Sequence, residues 1–306
     1  MIIASIDIGT NTILLLIAKT DNKSNNITPL LNEYRMPRLG KGLKPGGNIH
    51  NDKLMNLFEI LSEYQQIIIA HNTEKVIITA TNAFRIAANA NEILNKIKNK
   101  FGYDVDIITG ETEAKYAYLG AILSSMKNIS SLVIDIGGGS TEIISGKNSR
   151  ISYRKSFQVG SVSATESYFI HSHPTPPEDL LKLNNFLVET FQEIKDKFTL
   201  KLAIAISGTP TTLFCMINDV KNYDDSIVEG SRLTYLDIEH LIKILQYLSP
   251  SEIKERYGKV MQGREDIILG GSVILLNIMK LLELPEVIVS ARGIRYGAII
   301  HYLTSR

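Results

Sequence analysis

A chain of 306 residues exceeds one average domain, so two lobes are the starting expectation. Hydrophobic residues at 44% and charged residues at 21% exclude a disordered chain, and a net charge of +1 gives no global pull toward nucleic acid, so no such partner is expected. No apolar run reaches the roughly 18 residues that span a bilayer, and the N-terminus has no signal-peptide pattern, so the chain reads as cytoplasmic with no membrane partner.

Met1 to Ile6 is an apolar, β-rich run that leads into Asp7, turns through Gly9, Thr10, Asn11 and Thr12, and re-enters an apolar run from Ile13 to Ala18. This reads as a β-hairpin with a small-residue tip. A glycine-rich loop then carries Arg38, Lys41 and Lys44. Asn51 to Asn72 has apolar residues at helical spacing, Lys75 to Thr79 reads as a strand, and Asn82 to Lys100, which holds Arg85, reads as a helix. A strand at Val105 to Ile108 leads into a helix over Glu111 to Ser125, with acidic residues in its first turn, where the helix dipole favours them. The opening hairpin then recurs: Ile6-Asp7-Ile8-Gly9-Thr10-Asn11-Thr12 is echoed by Ile134-Asp135-Ile136-Gly137-Gly138-Gly139-Ser140-Thr141, followed by Glu142 and a second apolar run. The halves therefore read as duplicated. Helices are expected near Val162 to Phe169 and Pro177 to Phe198, with a proline-rich surface loop from His171 to Pro177 before the second. A strand at Leu202 to Ser207, helices at Tyr235 to Tyr247 and Gly263 to Leu282, a strand at Glu286 to Ser290 and a helix at Gly293 to Tyr302 complete the chain. Cys215, the one cysteine, reads as a core residue, and His171 and His173 have no metal-ligand spacing.

A carboxylate at a strand end, followed at once by a glycine-hydroxyl turn, suits phosphate chemistry. Glycine lets backbone amides approach an anion and hydroxyls add donors, while the carboxylate suits a hard cation beside it. Asp7 and Asp135 fit that role, with Thr10, Asn11 and Thr12 at one tip and Gly137, Gly138, Gly139, Ser140 and Thr141 at the other. For either copy alone a plain hairpin turn accounts for the pattern as well, and it is the repetition that favours the functional reading. The glycine run lacks the lysine of a P-loop, and Glu142 stands where a dinucleotide fold needs its third glycine, so dinucleotide binding is rejected. Ser207, Gly208 and Thr209 follow a strand and open a helix, an anion-binding arrangement that an ordinary capped turn explains equally. Arg38 and Arg85 suit bidentate phosphate contact, against the commoner alternative of a solvated face.

Seven ordered segments over nearly the whole chain resemble the exopolyphosphatase and guanosine pentaphosphate phosphohydrolase family, a branch of the actin-like ATPase superfamily. They are Ile6 to Thr12, Arg38 to Leu43, Ala80 to Asn89, Thr109 to Gly120, Val133 to Glu142, Ser207 to Thr209 and Ser290 to Arg295. The resemblance implies a two-lobed α/β fold of the actin-like, ribonuclease H-like type with a cleft between duplicated lobes. The lobes would be residues 1–122, joined by the C-terminal helix 293–306, and residues 123–292. It implies a hydrolase that takes the terminal phosphate from inorganic polyphosphate or guanosine pentaphosphate with Mg²⁺ or another divalent cation. Glu113 falls on the family's catalytic base, although Thr112 replaces the acidic residue usual before it, and Glu111 lies one position too early. Asp135 and Glu142 fall on the family's metal and phosphate-binding acidic residues, with Gly137 in the loop, and Asp7 joins them as a metal candidate. From composition alone Glu113 would be a dipole partner of its helix. Arg264, Arg292 and Arg295 would serve phosphate on the second lobe. The chain reads as the short form without a C-terminal helical domain, and a homodimer is left open. A silent polyphosphate or nucleotide sensor, a phosphotransferase of the same fold and a chaperone-like ATPase are the rival readings, because fold alone does not separate them.

Overall fold

The computed structural model describes residues 1–21, 27–123, 126, 128–148, 150–169, 173–199, 202–261 and 263–305. Its contacts divide the chain into two compact units, Met1–Gly120 with Gly293–Arg306, and Ala121–Arg292.

The first unit is built on five strands, β1 (Ile2–Ile8), β2 (Ile13–Thr20), β3 (Ile27–Arg35), β4 (Lys75–Ala80) and β5 (Asp106–Ile107), in the order β3-β2-β1-β4-β5. β1 pairs antiparallel with β2, placing Asp7 opposite Leu14, and parallel with β4, placing Asp7 beside Thr79. Both faces of this sheet are covered, which explains why β1 and β2 read as unbroken apolar runs. On one face Ile6, Ile8, Ile13 and Leu15 pack with Leu57, Leu61 and Tyr64 of helix Asn51–Ala70 and with Ile93 and Ile97 of helix Ala90–Phe101. On the other, Ile3, Leu16 and Ala18 pack with Tyr296 and Ile299 of helix Ile294–Thr304. Burying one such side chain contributes roughly 1.5–3 kcal/mol.

The second unit repeats the plan with β6 (Ser131–Ile136), β7 (Thr141–Lys147), β8 (Arg150–Phe157), β9 (Leu202–Ile206), β10 (Arg232–Thr234) and β11 (Glu286–Ser290), in the order β8-β7-β6-β9-β11-β10. β6 pairs antiparallel with β7, placing Asp135 opposite Glu142, and parallel with β9, placing Asp135 beside Ile206. Strand for strand, β6, β7, β8, β9 and β11 take the places of β1 to β5, so the duplication seen in the hairpin sequences extends to the sheets. Helix Ile268–Leu281 is apolar on nearly every side because it is buried on nearly every side, against Leu183, Leu187 and the strands.

The helix expected over Asn82 to Lys100 is two helices, Asn82–Ile86 and Ala90–Phe101. The break forms where Ala88 donates its amide to Gly47 O and the Asn89 side chain makes paired 3.0 Å hydrogen bonds with the Ile49 backbone. The helix expected from Gly263 begins at Ile268, after a run of turns. The helix expected over Glu111 to Ser125 spans Gly110–Ala121, and His171 of the proline-rich loop lies outside the described residues. Cys215 is a core residue, and burial pushes its thiol up to about 11. Among the described residues no helix is long and apolar enough to cross a membrane.

Candidate active site

In the first unit the hairpin tip is closed by Gly9, whose amide donates to Thr12 O at 2.9 Å. A second layer lies on it: the amide of Arg38 donates to Asn11 O at 3.0 Å and that of Gly40 to Thr10 O at 2.8 Å. Gly40 has to be glycine, since a Cβ there would strike the Thr10 side chain. Arg38 adopts a φ of 53°, a left-handed conformation uncommon outside glycine, so the loop is held by its contacts against local preference. Thr10, Asn11, Thr12 and Arg38 are all partly exposed, whereas Asp7 is buried, 7% exposed.

Glu113 sits in the first turn of helix Gly110–Ala121. The Thr109 hydroxyl caps that turn by accepting the Thr112 amide at 3.2 Å, which makes Thr112 a capping partner rather than an acidic neighbour. Arg85 Nη1 donates to Glu113 Oε2 at 2.6 Å and to Ile108 O at 3.0 Å. Burial pushes the Glu113 carboxyl above the ordinary carboxylate range, and the Arg85 guanidinium pulls it part of the way back. Glu113 and Arg85 are therefore brought together, while Glu111 is exposed.

In the second unit the glycine tip closes in the same manner, Gly137 N donating to Ser140 O at 2.9 Å. Here the covering element is a helix. From the N-terminus of helix Ser161–Tyr168, the Ser161 amide donates to Gly137 O at 2.9 Å, and the Val162 and Ser163 amides donate to Gly138 O at 2.9 and 3.1 Å. The approach requires Gly160, where a Cβ would lie 2.5 Å from Gly137 O. In a trans peptide N–H and C=O point in opposite directions, so holding these two carbonyls turns the Gly138 and Gly139 amides away from the helix. Two amides aimed to one side of a glycine turn form an anion-binding concavity.

Asp135 is buried and accepts a 2.5 Å hydrogen bond from the Ser207 hydroxyl at Oδ1. Glu142 accepts one of 2.7 Å from Ser156, its direct cross-strand neighbour. Ser207 lies between β9 and helix Gly208–Ile217, and the Arg264 guanidinium packs closely on Gly208, where a Cβ would displace it. Among the described residues no three His, Cys, Asp or Glu side chains gather to hold an ion unaided. The Asp135 and Glu142 carboxylates are hard oxygen donors on paired strands, and a Mg²⁺-like ion takes one or two such carboxylates, with substrate and water oxygens completing the shell. The residues fit the group.

Not every expected ligand faces outward. Thr141 is fully buried with its hydroxyl donated to Val159 O at 2.6 Å, and Thr209 is 4% exposed, so both brace their turns. Arg295 belongs to the first unit and is 6% exposed; its guanidinium donates to Asn32 Oδ1 at 2.8 Å and Leu15 O at 3.3 Å, which makes it a support of β2 and β3 and not a phosphate ligand of the second lobe. Two polar residues escaped the sequence reading. Ser156 carries no signal until β8 is known to pair with β7. Glu229 accepts Ser290 Oγ at 2.9 Å and Ala291 N at 2.8 Å and closes the end of β11, while burial pushes its carboxyl upward.

Over residues 16–306 the chain matches the Ppx/GppA phosphatase family. It is 30% identical over 308 residues to the bifunctional 3-dehydroquinate synthase/phosphatase of Fusobacterium nucleatum, a match covering 97% of this chain and 46% of that protein. It is 28% identical over 296 residues to exopolyphosphatase 2 of Mycobacterium tuberculosis, covering 92% of this chain and 91% of the relative. The fold is similar to the crystal structure of the Aquifex aeolicus Ppx/GppA family member, with a TM-score of 0.85 and 30% identity over 100% of this chain and 98% of that one. The chain thus spans about half the length of the first relative and nearly all of the second.

Proposed function

Because the chain belongs to the Ppx/GppA phosphatase family, we propose that it hydrolyses the terminal phosphoanhydride of inorganic polyphosphate or guanosine pentaphosphate, releasing orthophosphate. The observation that carries this reading is the Glu113–Arg85 pair, a carboxylate raised in pKa by burial and directed by an arginine, in the first turn of a capped helix. A raised carboxylate is a better proton acceptor for water than an ordinary one. Glu113 would take a proton from the attacking water at Oε1 or Oε2, and Arg85 would keep its carboxylate oriented and offset charge on the phosphate.

Within the first unit, Thr10, Asn11 and Thr12 offer hydroxyl, amide and backbone donors, and Arg38 adds a guanidinium suited to two phosphate oxygens. Within the second, the Gly138 and Gly139 amides and the Ser140 hydroxyl bind anionic oxygen, while Asp135 and Glu142 hold a divalent cation; Asp7, at the matching strand end of the first unit, is a metal candidate of the same kind. Such an ion neutralises charge on the phosphoryl group when bound. Thr141, Ser207, Gly208 and Thr209 act behind this layer by fixing the turns.

The test is release of free phosphate from polyphosphate, guanosine pentaphosphate or ATP with Mg²⁺. We expect release from one of the first two, and its loss on chelation. Substrate binding without phosphate release would overturn hydrolysis in favour of a sensor, and full activity in excess chelator would overturn the cation.

A further inference from the structure

Ser207 occupies the N-cap position of helix Gly208–Ile217, yet its side chain makes no capping bond. Serine at this position ordinarily satisfies a free helix amide. Its hydroxyl turns the other way and donates to Asp135 Oδ1 at 2.5 Å, across 72 residues of sequence. The backbone is also unusual, with φ 77° and ψ −171°, a region that glycine enters freely and other residues rarely do. A glycine stands next door at 208, where a Cβ would displace the Arg264 guanidinium. The chain therefore keeps a hydroxyl at the strained position. Ser207 is exposed, so it fills no gap in the core. What its side chain does is hold one oxygen of a buried carboxylate.

From this geometry we propose that Ser207 is a positioning residue, whose hydroxyl orients the Asp135 carboxylate toward a divalent cation. The proposal rests on the reading of Asp135 as a cation-holding group. A carboxylate at a strand end turns about its last bond, and a donor on one oxygen fixes its plane. Ser156 serves Glu142 in the same way, but Glu142 is only partly buried where Asp135 is buried, so water competes more for that bond and the effect is smaller.

The experiment titrates the full chain with Mn²⁺, read by electron paramagnetic resonance, and measures thermal unfolding of the same samples without metal. The variants are Ser207→Ala and Ser207→Gly. Both remove the hydroxyl, and only the second relaxes the backbone. Both should weaken Mn²⁺ binding by about 10- to 100-fold, as loss of groups supporting a metal ligand does elsewhere. Ser207→Gly alone should unfold at a higher temperature than the parent. If the parent binds Mn²⁺ and Ser207→Gly binds it within twofold as well, the hydroxyl positions nothing and the proposal is overturned. If the parent itself binds no Mn²⁺ while Asp135→Asn behaves identically, the cation reading fails and takes the positioning role with it.

Discussion

The two hairpins are closed by the same bond and covered by different devices. Gly9 to Thr12 and Gly137 to Ser140 each make a 2.9 Å amide-to-carbonyl link. Over the first lies a loop that contributes an arginine at the cost of a left-handed residue, and over the second the end of a helix, which contributes three amides and no side-chain charge. The carboxylates differ as well: Asp135 faces Glu142 across its hairpin, whereas Asp7 faces Leu14. Duplication thus kept the backbone and divided the chemistry. On the proposed reading the second unit supports the cation, and the first carries the Glu113–Arg85 pair and Arg38.

The largest effect expected of this division is at Glu113. Glu113→Gln keeps shape but removes the proton acceptor, so turnover should fall by roughly 10² to 10⁴ while the Michaelis constant moves only a few-fold. Glu111→Gln is the control on the same helix turn, and a larger loss there would dismiss the assignment. Next comes Glu142→Leu, which gives the second hairpin the residue that faces Asp7 in the first. The Mg²⁺ concentration for half-maximal activity should rise about tenfold or more, since loss of even a supporting group at a metal costs that much; an unchanged Mg²⁺ requirement would erase the contrast between hairpins.

The pH profile follows in size. As the proposed base Glu113 would work ionised, and burial raises its pKa, so activity should be lost as pH falls through a value above the ordinary carboxylate's, about 4.3. Arg85 opposes that rise, so Arg85→Ala should shift the acid limb of kcat/KM further upward. A limb that stays put in the variant would sever Glu113 from the rate. Smallest is Arg38→Gly: releasing the left-handed backbone should stabilise the chain by about 1 kcal/mol in denaturant melts while raising the Michaelis constant for polyphosphate. Loss of stability instead would mean the Arg38 side chain, and not its backbone, secures the loop.

The hairpins were legible because their sequences repeat and both faces of β1 and β6 are buried, which leaves apolar runs with a polar tip. Glu113 was legible only through resemblance, since nothing local separates it from Glu111; the Arg85 contact that does so joins residues 28 apart. β3 and β8 went unread because each is a sheet edge with many exposed positions, one carrying Pro29 and the other three basic residues. Arg295 read as a ligand because arginine beside a glycine turn suggests phosphate, and only tertiary burial turns it inward. The Ser207 bond to Asp135 depends on β6 and β9 being neighbours, a fact of topology that no window of sequence contains.

One contact inside the first unit bears on modularity. The chain leaves that unit after Gly120 and returns at Gly293, and a Cβ on Gly120 would collide with the Gly293 carbonyl, while one on Gly297 would collide with that of Tyr116. Exit and re-entry are thus adjacent points on two helices that touch backbone to backbone. Seen from the first unit, all of Ala121–Arg292 is an insertion spliced into a closed scaffold at a single locus, the arrangement in which added or exchanged domains disturb a host least. A bridge of one or two glycines from 120 to 293 would close the chain of the first unit without stretching it.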